Sequence, residues 1–245
     1  MKLLYGIAVA SVNQLAELPE LKKAAFLEVP SSLRELPDFR IPMAWKRRFR
    51  RVTGRSEART LSSLIDAKKS IQIDFLRVFA GCCEYFSKLG AAEISLGVDW
   101  EAAFSDPGYA LKVRDILRSC YGITEKYSLT PILELRIPGS AAAGGMDFYR
   151  FRNSLMIPVR VLIDLHPHEP GALELMERFS ATMPFVCDKL RISFDAAGGN
   201  YLTGKLLERI CKCVRPAGVA IPEISFYPGR SADHDAFAAL NSVIP

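Results

Sequence analysis

Short apolar runs rich in β-branched residues alternate along the chain with longer segments whose apolar residues recur every three or four positions. The first pattern marks strands and the second amphipathic helices. Eight strands are predicted, at residues 3–11, 24–30, 48–54, 91–99, 131–137, 159–165, 189–195 and 219–227. The third is the least typical, because it is rich in arginine. Helical periodicity fills residues 65–90, where Gly90 suits a helix C-terminus, and then 110–128, 171–183, 204–218 and 233–244. Strands alternating with helices imply a parallel sheet, and eight of them imply a single (β/α)8 barrel domain over residues 1–245.

Strand side chains alternate between faces, so one parity of each strand points into the barrel and the other packs beneath helices. Glu134 and Arg136 share a parity against Leu133 and Leu135. Asp164 and His166 oppose Val161 and Ile163. Arg191, Ser193 and Asp195 oppose Ile192 and Phe194, while Glu223, Ser225 and Tyr227 oppose Ile224 and Phe226. Glu28, Glu93, Ser95 and Asp99 extend the pattern to the second and fourth strands. The helix-facing parity must be apolar, so the polar one is inward, toward the strand ends where barrels of this kind place their active sites.

Buried charges need partners. One arrangement is an internal lattice in which Arg136, Arg160 and Arg191 neutralise the acids. The other is a metal centre, with Glu134, Asp164, His166, Asp195 and Glu223 supplying carboxylate and imidazole donors suited to Mn²⁺, Zn²⁺, Mg²⁺ or Fe²⁺.

Composition narrows the class. The net charge of +5 is spread over a chain with 27 acidic residues, so no nucleic-acid partner is expected. The one basic run, WKRRFRR at residues 45–51, reads as a solvated edge or as an anion contact. Six cysteines without CxxC spacing fit reduced thiols in a cytoplasmic protein. The apolar opening segment is too short to span a bilayer and shows no cleavage site, so no membrane association is expected.

Several of these segments together resemble the xylose isomerase-like barrels, the superfamily of sugar phosphate isomerases and epimerases and endonuclease IV. KLLYGIAVAS is similar to that family's first strand, AAFLEVP to its second, PILELR to a strand ending in a metal-binding Glu, VLIDLHPHEPG to one presenting a metal-ligand Asp, and AIPEIS to the last, with its metal-ligand Glu. The chain departs from the pattern at Pro167, which stands where the family has a ligand His, and in the seventh strand, where Asp195 is kept without the family's His.

The resemblance implies isomerisation or epimerisation of a small-molecule sugar or sugar phosphate, assisted by a divalent metal (Mn, Zn or Mg). Glu134 or Glu223 would move a proton beside a carbonyl. Arg136, Arg191 and Tyr227 are the candidate substrate-binding residues, and Trp100, directly after Asp99, reads either as stacking on a sugar ring or as a packing residue of the rim. Endonuclease chemistry is disfavoured with only three histidines, and Schiff-base chemistry because Lys189 begins its strand.

A metal-free alternative is a barrel that binds phosphate or carbohydrate without catalysis. The glycine-containing loops DAAGGNYLTGK and YPGRSADHD, after the seventh and eighth strands, stand where barrels often hold phosphate. PGSAAAGGMD, after the fifth strand, reads as a flexible connection or a lid, and His234 as an exposed residue near the start of the last helix. Assembly into a homo-oligomer stays open.

Overall fold

A computed structural model describes residues 4–11, 13–14, 23–35, 49, 51–56, 61–98, 108–136, 145–157, 159–179, 187–196, 198–200, 202–214, 223–230, 232 and 234–244. Eight strands follow one another in sequence order: β1 (Leu4–Ala8), β2 (Phe26–Pro30), β3 (Arg51–Arg55), β4 (Glu93–Val98), β5 (Thr130–Arg136), β6 (Arg160–Leu165), β7 (Lys189–Ser193) and β8 (Glu223–Tyr227). Each pairs in parallel with the next, and β8 closes on β1, so the eight predicted strands form one closed barrel. The third is described as Arg51–Arg55 where residues 48–54 were expected, and residues 48 and 50 of that expectation lie outside the described residues.

The described helices are α1 (Lys69–Leu89), α2 (Tyr109–Lys126), α3 (Gly145–Ser154), α4 (Ala172–Phe179), α5 (Gly204–Val214) and α6 (His234–Val243). The end of α1 behaves as its sequence predicts. Gly90 adopts φ 78°, and its N–H bonds back to the carbonyls of Phe86 and Ser87. The α3 helix is absent from the helices the periodicity predicts, and its first three residues, Gly145–Asp147, belong to the PGSAAAGGMD stretch expected as a flexible connection or a lid. Among the described residues, no helix is long and apolar enough to cross a membrane.

The outward parity of the strands forms the main core. Ile94, Leu96, Leu133, Leu135, Ile192, Ile224 and Phe226 are buried there, and α1, which packs beside β3, adds Phe75, Phe79, Cys82, Cys83 and Phe86 to the same core. The helix lies close enough to β3 that a Cβ at Gly54 would overlap the ring of Phe86. Gly54→Ala is therefore expected to destabilise the barrel by roughly 1–3 kcal/mol through forced repacking, read as a lowered urea midpoint at unchanged slope.

All six cysteines are free. Burial pushes the Cys120 and Cys187 thiols up to about 12, which makes them core residues rather than nucleophiles.

Candidate functional site at the carboxyl ends of the strands

The inward parity is polar, and its groups satisfy one another in layers. At the floor, near the strand beginnings, Lys189 is 1% exposed, with its Nζ 2.5 Å from Glu93 Oε2 and 3.0 Å from both Thr53 Oγ1 and Glu223 Oε2. Arg160 bonds to Glu93, and Arg51 to Glu223. Two carboxylates thus meet three cations. Desolvation lowers the Lys189 pKa, and the nearby Glu28 and Glu223 carboxylates oppose that shift only in part.

A second layer lies above, centred on Arg191, itself 1% exposed. Its Nε donates to Glu28 Oε2 at 2.8 Å, and its Nη1 donates to Glu134 Oε1 at 2.5 Å and lies 3.6 Å from Asp164 Oδ2. Nη2 is 2.7 Å from Glu28 Oε2, at ion-pair distance without the alignment of a hydrogen bond. Burial works to raise the Asp164 pKa, but the His166 hydrogen bond, the Arg191 charge and the Ser193 hydroxyl outweigh it and hold the carboxyl near 2. At Glu28 burial is likewise outweighed, chiefly by the charges of Arg191 and Lys189, and the carboxyl is held below its ordinary range.

The lattice reading thus holds for Arg160 and Arg191. Arg136, in contrast, is 61% exposed at the end of β5 and pairs with Glu169 rather than with the buried acids. Arg51, the last residue of the basic run, enters the floor instead of forming a solvated edge or an anion contact.

Above this layer a cleft of about 470 Å³ opens at the mouth, lined by His166, His168 and Glu169 after β6, by Ser193, Phe194, Asp195 and Asn200 at the end of β7, and by Tyr227, Gly229 and Arg230 after β8. His166 stands between two acids, with Nε2 3.5 Å from Asp164 Oδ2 and Nδ1 3.9 Å from Glu169 Oε1. Arg55 covers the Tyr227 ring at 4.8 Å from its centroid, a cation–π contact that fixes one cleft wall. The β7 and β8 loops are laced together by Phe194 N–H to Tyr227 O at 2.9 Å and Ala196 N–H to Pro228 O at 3.2 Å. Gly229 adopts φ 93°, and a side chain there would press on Phe194 O and Asp195 Oδ1.

Gln14, 2% exposed, clamps the β8 loop from the opposite edge of the sequence. Its Oε1 accepts from Ala10 N–H at 2.7 Å, and its Nε2 donates to Gly229 O at 2.7 Å and Arg230 O at 3.1 Å. Gln14→Leu orphans these backbone groups and is expected to cost about 1–3 kcal/mol in chemical denaturation, with faster amide exchange around Gly229.

The sequence candidates therefore separate by height. Asp195, His166 and Tyr227 line or border the cleft, while Glu134 and Asp164 lie one layer below it. Glu223 requires a correction: it pairs with Leu4 and Lys189 at the beginning of its strand, so it is a floor residue turned to the opposite end from the cleft. Arg191 requires another, since a guanidinium enclosed by three carboxylates is not exposed to a substrate. Trp100 lies outside the described residues.

His168, Glu169, Asn200 and Arg230, none of them among the sequence candidates, also line the cleft. The loops carrying Asn200 and Arg230 had been singled out for their glycines. Gln14 gives no signal in the sequence, because the carbonyls its Nε2 bonds to lie more than two hundred residues away.

The donor set does not fit a divalent ion. Glu223 is at the floor, Asp195 is exposed, and the Arg191 guanidinium fills the space on which Glu134 and Asp164 converge. Among the described residues no three metal-donor side chains are grouped to hold an ion.

No family model and no curated protein matches the sequence. Solved structures do match its fold. A D-psicose 3-epimerase, crystallised in the presence of D-fructose, aligns over 99% of this chain and 90% of its own at a TM-score of 0.61 and 12% identity. A xylose isomerase domain protein from Alicyclobacillus acidocaldarius aligns over 97% and 95%, at 0.58 and 14%. A D-allulose 3-epimerase from Methylomonas sp., in complex with D-allulose, aligns over 99% and 96%, at 0.58 and 10%. The chain thus shares the (β/α)8 barrel fold of these proteins, at a sequence distance that speaks for fold alone.

Proposed function

We propose that the protein binds a small sugar or sugar phosphate in the cleft at the barrel mouth and does so without a divalent metal. The observation that carries this reading is the convergence of opposed hydrogen-bonding groups on one cavity of about 470 Å³. A polyhydroxylated ligand needs acceptors and donors together. Asp195 and Glu169 are acceptors, Asn200, Tyr227 and Ser193 can serve either way, and Arg230 is a donor. The volume suits a ligand of hexose size. The epimerases that share the fold were crystallised with D-fructose and D-allulose, which supports the same ligand class here.

Isomerisation or epimerisation, if it occurs, requires a group that moves a proton beside a carbonyl. Of the titratable groups lining the cleft, His166 is the one with Asp164 behind it, placed to orient the imidazole for that role. Glu134 lies beneath this surface and Glu223 at the far end, so neither takes that role in this reading.

Calorimetric titration with D-fructose and D-fructose 6-phosphate tests the assignment. Arg230→Ala is expected to weaken the phosphorylated ligand roughly 10–100-fold if the β8 loop holds phosphate, and the free sugar far less. Saturable binding unaffected by both Arg230→Ala and Asp195→Asn would place the ligand elsewhere and end the assignment.

A further inference from the structure

The three carboxylates around Arg191 are built alike. One oxygen of each accepts from a serine: Glu28 Oε1 from Ser225 at 2.8 Å, Glu134 Oε2 from Ser95 at 2.7 Å, and Asp164 Oδ1 from Ser193 at 2.5 Å. The other oxygen of each turns toward the guanidinium. Three oxygens are thus held from behind and three converge. Hydroxyls that orient carboxylates from behind are also what prepares such groups to receive a metal ion, and oxygen-only donors of this kind suit Mg²⁺, Ca²⁺ or Mn²⁺.

We propose that the guanidinium of Arg191 is the resident cation of the barrel centre, holds Glu28, Glu134 and Asp164 apart around itself, and shuts divalent ions out of the space on which they converge. Charge supports the substitution. Three carboxylates surround a single guanidinium in this layer, whereas the floor places three cations against two acids. The centre therefore keeps a surplus of negative charge that one positive side chain does not cancel. Room is what the centre lacks, because the planar group fills the approach of all three free oxygens. Removing it would leave the oxygens oriented by their serines and free to close on an ion at about 2.0–2.6 Å. The proposal concerns the layer below the cleft and stands whatever the cleft binds.

The test compares wild type, Arg191→Ala, and Arg191→Ala combined with Glu134→Gln, using thermal unfolding and Mn²⁺ electron paramagnetic resonance. Wild type is expected to show neither stoichiometric bound Mn²⁺ nor a Mn²⁺-dependent melting shift. Arg191→Ala is expected to bind one Mn²⁺ and to gain roughly 5–10 °C in melting temperature at an ion concentration a hundredfold above its dissociation constant. The double variant should lose that gain.

A folded Arg191→Ala protein with no Mn²⁺ response would overturn the proposal, as would stoichiometric Mn²⁺ on wild type that disappears in Glu134→Gln. Should Arg191→Ala fold only when Mn²⁺ is supplied, that dependence supports the proposal. If it folds under neither condition, Arg191→Asn, whose short polar side chain leaves the place of the guanidinium open, replaces it, and a folded Arg191→Asn protein blind to Mn²⁺ overturns the claim.

Discussion

Arg191→Met is expected to lower the unfolding free energy in metal-free buffer by about 3–5 kcal/mol, the largest loss of any single substitution at the polar centre. Methionine fills part of the space but removes the only cation that touches Glu28, Glu134 and Asp164 together. The three carboxylates then keep their serine partners, with His166 near Asp164 and the Lys189 charge acting on Glu28, but lose the cation they share, and it is the uncompensated charge, more than the lost attraction, that sets the size of the effect. Adding Glu28→Gln to Arg191→Met should recover part of the loss, because it removes one of the stranded charges. Arg136→Met is the control. That side chain is mostly exposed and its pair with Glu169 lies at the surface, so the change should be within about 1 kcal/mol. Urea titration of the four proteins checks all of this; equal losses at Arg136 and Arg191 would refute the role assigned to the buried layer.

Acidification is expected to weaken the fold in a defined window. Asp164 has an ordinary pKa of 3.8 and is held near 2 in the folded barrel. A carboxyl whose folded pKa is depressed contributes stability that is fully present above its unfolded value and is lost as pH falls toward the folded one. For Asp164 that window runs from about 4 down to about 2 and is worth about 2 kcal/mol. Glu28 is shifted in the same direction and adds to the slope. Stability measured across this range should fall steadily, and Asp164→Asn should flatten the curve. A wild-type profile that is level between pH 5 and pH 2 would show that these carboxyls are not held ionised by the lattice.

Alternation made the barrel legible. Each strand carries one apolar and one polar parity, and only a closed sheet with helices outside and charges inside accommodates both. What alternation leaves out is height. Glu223, Asp195 and Asp164 share the inward parity, yet one lies at the floor, one at the mouth and one between, because height depends on the stagger of neighbouring strands: Glu223 opposite Lys189, and Asp164 opposite Arg191. This is why one rim of ligands was expected where the chain builds two ionic layers and a cleft. The α3 helix escaped notice because the Ala and Gly leading into it mask any apolar period. The Gln14 clamp escaped because nothing near residue 14 encodes a partner at residue 229.

The central claim is a sugar site that works without a divalent ion, and calorimetric titration of protein dialysed against EDTA tests it most directly. D-fructose or D-fructose 6-phosphate should bind saturably in EDTA, with an affinity that added Mn²⁺ leaves unchanged and that Asp195→Asn or Tyr227→Ala reduces by about tenfold or more. Binding that appears only when Mn²⁺ is restored, or no binding of either probe under both conditions, would contradict it.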